Sequence, residues 1–130
     1  MEQKDPIPED IKRFIIRSIE SIPHLEAVLL LHYDPKIEWD AKMMSQRLYI
    51  SEKRSMDVLN DLCAAGFAAI SEVNHSYSYH PISRELSDLI ARLVDIYSKN
   101  LIEVTNLIHF KTNKQAQQFG DAFKWQNEKE

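Results

Sequence analysis

LYISEKRSMDVLNDLCAAGF, residues 48–67, decides how this chain folds. Ser51 stands just before a run in which Val58, Leu59 and Leu62 share one helical face, so a helix capped by Ser51 is predicted over 52–65. Gly66 ends it, because glycine enters the left-handed conformation of a helix terminus without steric cost. Upstream, Asp40 caps a shorter helix, 41–48, with Met44 and Leu48 on its apolar side. Only Tyr49-Ile50 separates the two helices, which forces a tight turn between them.

Working outward, residues 67–72 (FAAISE) and 76–80 (SYSYH) flank Val73-Asn74-His75 and predict a two-stranded hairpin. Ile37-Glu38-Trp39 alternates enough to add a short third strand. Toward the N-terminus, Pro8-Glu9-Asp10 opens a helix with Ile11, Phe14, Ile15 and Ile19 on one stripe. Ser21-Ile22-Pro23 breaks it and starts another, 24–33, apolar nearly all round and therefore central. Residues 1–7 read as a flexible arm, 8–83 as the main domain, and 84–130 as a C-terminal helical segment packed on it.

From Arg84 the pattern is helical for about 27 residues, roughly 40 Å at 1.5 Å per residue. Leu86, Ile90, Leu93, Tyr97, Leu101, Val104 and Ile108 recur at a period close to that of a straight helix. So long an apolar stripe exceeds what the domain before it can cover, and these residues are expected to join two copies as a homodimer. Phe119, Phe123 and Trp125 mark a further amphipathic segment that docks on the dimer or on a protein partner.

Composition bounds the rest. The chain has 130 residues, 44% hydrophobic and 28% charged, enough for one core. Two glycines in the whole chain disfavour a hairpin-rich β fold. A formal charge of −4 gives no global attraction to nucleic acid or anionic membrane. One cysteine, no signal-like N-terminus and no long apolar run point to a cytoplasmic protein with no membrane segment.

The order helix, helix, short strand, helix, turn, helix, hairpin, long helix resembles a winged helix-turn-helix of the MarR type, carried mainly by residues 37–81. Met44, Leu48, Ile50, Ser51, Val58, Leu59, Leu62 and the pair Gly66-Phe67 stand where that fold buries or caps. The tail NLIHFKTNKQAQQFGDAFKW is similar to that of uncharacterised bacterial winged-helix proteins. The resemblance implies a mainly α fold with a small β-hairpin wing and a long C-terminal dimerisation helix. It also implies a transcriptional regulator that binds double-stranded DNA. Carried over by position, Ser51, Lys53, Arg54 and Asn60 of the second motif helix, with Lys42, would contact DNA, and Met56 and Asp57 would face the groove.

The charges depart from that pattern. From Ser55 to Ser83 there is no Lys or Arg. Between Asp40 and His80, four cations (Lys42, Arg47, Lys53, Arg54) meet five acids (Asp40, Glu52, Asp57, Asp61, Glu72). The wing tip offers Asn74 and His75 where such regulators carry arginine. Affinity for DNA comes largely from phosphate neutralisation. The alternative is therefore a winged-helix protein–protein interaction module that has lost DNA binding, with Asp57, Asp61 and Glu72 or the aromatic tail meeting the partner.

No catalytic motif, glycine-rich phosphate loop or zinc-ligand spacing is present, so no enzyme, cofactor or metal is expected. His75 and His80 are the histidines placed to share a ligand, and Asp57 with Asp61 reads as a solvated pair. Cys63 has no nearby cation and reads as an inert buried thiol. Trp39, Tyr77 and Tyr79 read as sheet packing rather than a stacking platform for single strands.

Overall fold

The computed structural model describes residues 6–111. Ser21 accepts from the His24 amide to cap α2 (Ile22–Tyr33), which follows α1 (Glu9–Ser18) across a short break. Asp40 Oδ1 accepts from the Met43 amide at 2.7 Å and caps α3 (Ala41–Leu48). Ser51 Oγ accepts from the Arg54 amide at 3.1 Å and caps α4 (Glu52–Ala64). Each of these oxygens satisfies an amide that the first helical turn leaves without a partner.

Helix α4 closes with two crossed bonds, Phe67 N–H to Leu62 C=O and Gly66 N–H to Cys63 C=O, with Gly66 at φ +86°. This is the Schellman arrangement, which needs a left-handed residue after the helix. Strands β1 (Ala68–Ser71) and β2 (Ser76–Tyr79) pair antiparallel, Ala68 opposite Tyr79 and Ser71 opposite Ser76. The expected third strand is a single bridge: Trp39 and Tyr77 exchange both backbone hydrogen bonds, at 2.7 and 2.6 Å. The result is mainly α with a two-stranded wing, the winged helix-turn-helix order.

Helix α2 is the hub. It packs on α3, α4, β2 and α5 (Arg84–Lys99), and buries Leu25, Ala27, Val28, Leu29 and Leu31. Being apolar all round fits this position. Phe14 of α1 meets Phe67 edge to face, centroids 6.0 Å apart. Ile7 is buried, so the core includes the end of the segment read as an arm. Arg92 of α5 donates two hydrogen bonds to the Asp10 carboxylate of α1 and holds it below its usual range.

The long C-terminal helix is interrupted. Helix α5 (Arg84–Lys99) ends at Asn100 (φ −131°, ψ 47°), and helix resumes as α6, described over 101–111. Ser98 Oγ donates to the Asp95 carbonyl at 2.6 Å, a back-bond of the kind that bends helices. Asn100 then accepts from the Val104 amide and starts the next piece. Serine and asparagine compete for backbone groups in this way, which an apolar period alone does not register.

The break redirects the stripe. Ile90, Leu93, Val104 and Ile108 are fully buried in the chain's own core, Leu86 and Tyr97 are half-buried, and Leu101 is 52% exposed. Four of the seven residues expected at a dimer seam therefore hold one chain together. Phe119, Phe123 and Trp125 lie outside the described residues. Among the described residues, no helix is long and apolar enough to cross a membrane.

Candidate nucleic-acid interface

Between α3 and α4 the chain turns at Tyr49, whose φ of 57° is left-handed, and the Ile50 amide bonds to the Ser45 carbonyl. A non-glycine residue pays for this conformation, and such strain concentrates at functional positions. The Tyr49 side chain is 94% exposed beside the start of α4. Sequence reading treated Tyr49 only as turn; the signal available was a two-residue turn without glycine.

Glu52, Lys53 and Arg54 follow in the first turn of α4, all exposed. Neither Lys53 nor Arg54 forms an ion pair among the described residues. Ser51 uses its oxygen as the cap and keeps its hydroxyl proton for a donor role. Lys42 is exposed and lines a groove of about 420 Å³ with Glu52, Met56, Ile70, His75 and Tyr77. This groove brings the starts of α3 and α4 to the wing tip. Arg47 stacks over Trp39, 5.8 Å from the ring centroid.

Asn60 is exposed on α4 and also holds the wing. Its Oδ1 accepts from the Tyr77 hydroxyl at 2.7 Å, so the carboxamide ties α4 to β2 and keeps its NH2 and a second oxygen lone pair for other partners. Asp61 does not share the open face with Asp57. Its Oδ2 lies 2.9 Å from His24 Nε2, whose ring is 3% exposed, and Glu20 Oε2 lies 3.6 Å from the same nitrogen. Ser21 Oγ is 2.5 Å from Nδ1 on the other side of the ring. Glu20, Ser21 and His24 lie within four positions, but Asp61 is 37 positions further on, so no spacing predicts the cluster.

Asp40 caps α3 and Asp61 contacts His24, while Glu52, Asp57 and Glu72 make no ion pair among the described residues. Four exposed cations stand near them. The wing adds none: Val73, Asn74 and His75 are exposed, with His75 at φ 53°. Among the described residues, His75 and His80 are not part of any cluster able to hold a metal.

Trp39 and Tyr77 are buried and Tyr79 reaches His32 of α2, which removes the single-strand stacking platform. Burial pushes the Cys63 thiol above its usual pKa, away from the thiolate that reactivity requires.

No protein-family model and no curated protein matches the chain. Among solved structures it is similar to apo (heme-free) PefR, with a TM-score of 0.49 and 17% identity over 88% of this chain and 89% of that one.

Proposed function

We propose that the chain is a dimeric DNA-binding regulator in which α4 enters the major groove, as in the MarR type it resembles. The observation that supports this reading is the start of α4. Lys53 and Arg54 are exposed and without ion-pair partners among the described residues. Backbone amides of a helix N-terminus also favour phosphate. Lys42 adds a further cation to that end of the motif, and Tyr49 and Ser51 add hydroxyl donors. Leu101, Ile102 and Phe110 are exposed on α6 and would join two copies.

The test is fluorescence anisotropy of a labelled random-sequence duplex, titrated with salt from about 20 to 200 mM. Binding that weakens steeply with salt, and is abolished by Lys53→Glu with Arg54→Glu, is the expected result. No binding at low salt from folded protein would overturn the reading.

A second reading, a protein-interaction module in the cytoplasm, is favoured by the groove between α4 and the wing. Met56 (50% exposed) and Ile70 (45% exposed) face it beside Glu52, with no cation on the wing side. Under that reading the two charge reversals leave function intact, while Met56→Lys destroys it.

A further inference from the structure

Glu20, His24 and Asp61 bring one ligand atom each to within 4.8 Å of one another. They come from the corner after α1, the first turn of α2, and the C-terminal half of α4. Donors on a first-row divalent ion lie about 2.0–2.2 Å from the metal, hence roughly 3–4 Å apart. The 2.9 Å and 3.6 Å separations found at His24 Nε2 have that scale.

Two further features mark the cluster as built for a cation. The His24 ring is buried and held by Ser21 Oγ at Nδ1, so Nε2 is fixed toward the two carboxylates. A second hydrogen bond of this kind orients metal-ligating imidazoles and selects their tautomer. For an ion to be held, Nδ1–H donates to Ser21 Oγ and Nε2 exchanges its hydrogen bond with Asp61 for the metal. The carboxylates of Glu20 and Asp61 are 64% and 45% exposed, open to solvent from which an ion can enter. Neither pairs with Lys or Arg among the described residues.

We infer that Glu20, His24 and Asp61 form a binding site for a divalent transition-metal ion. One imidazole and two carboxylates suit borderline ions such as Zn²⁺, Mn²⁺ or Co²⁺, and lack the thiolates that select softer ones. Water fills the remaining positions. An ion held there pins the C-terminal half of α4 to the α1–α2 corner. The inference goes beyond DNA reading and does not depend on it, because Lys53 and Arg54 lie at the other end of α4.

The full chain, stripped with a chelator, is titrated with ZnCl2 against a colorimetric competitor, with thermal melts in parallel. One ion per chain and a Tm that climbs with the logarithm of free Zn²⁺ are expected. Glu20→Gln and Asp61→Asn should each weaken binding by at least about 10-fold, while His75→Gln and His80→Gln leave it unchanged. Melts of the metal-free variants establish that they are folded. Absence of saturable binding, affinity unchanged in Glu20→Gln and Asp61→Asn, or loss on His75→Gln would each overturn the site. Equal stabilisation by MgCl2 would do so as well, because it removes the role of the imidazole. The readout is the metal itself, so a protein that fails to bind DNA still decides this question.

Discussion

The hydroxyl of Tyr77 donates a 2.7 Å hydrogen bond to Asn60 Oδ1, and so joins the wing to α4. Tyr77 is also the strand residue that bridges Trp39, which makes it the point where three segments meet. Tyr77→Phe is expected to cost about 1 kcal/mol in chemical denaturation, the net worth of a typical hydrogen bond.

The same phenol sets a pH dependence. Burial first, and the charge of Cys63 second, raise its pKa above the ordinary 10.0. The folded chain therefore keeps the proton longer than the unfolded chain does. The contribution is complete below pH 10.0 and is lost as pH rises through the folded value. Denaturation across that alkaline range should show a steeper decline in the wild type than in Tyr77→Phe.

Gly66→Ala should destabilise by about 1–3 kcal/mol, the range for a strained backbone position. A Cβ there would stand 2.8 Å from Ile82 Cδ1 and 2.9 Å from Cγ1, at a φ of +86°. Adding Ile82→Ala relieves the clash but not the conformation. Thermal melts of the double variant should recover only part of the loss.

Asp57→Lys and Asp61→Lys should differ, although the two acids are one turn apart. Asp57 is exposed, and its replacement adds a phosphate contact, steepening the salt slope by about 0.9 per subunit. Asp61→Lys instead sets a cation against His24 and breaks a half-buried contact. Anisotropy should improve for the first, and stability should fall for the second.

The dimer proposal separates seam from core. Phe110 is 70% exposed, so Phe110→Glu should give a folded monomer by light scattering if α6 is the seam. Leu93→Asp buries an unpaired charge at a fully buried position and should cost about 4 kcal/mol or more. A wild-type chain that is already monomeric would end the dimer proposal.

The caps at Asp40 and Ser51, the terminator Gly66 and the hairpin were legible because each depends on residues next to one another. Periodicity located the apolar faces but could not say which chain covers them. Leu93 and Val104 looked surplus to a small core and instead complete it. The Asn60–Tyr77 and His24–Asp61 contacts join residues 17 and 37 positions apart, and no local rule reaches that far.

The interruption at Asn100 bears on how the chain folds. A continuous amphipathic helix is nucleated once and then propagates at little cost per residue. Splitting it requires a second start, worth up to about 4 kcal/mol when the nucleation constant is near 10⁻³. That cost is offset by Val104 and Ile108, which are buried only once the domain exists. Helix α6 is therefore expected to form after the core it seals, with amides that gain exchange protection late in refolding.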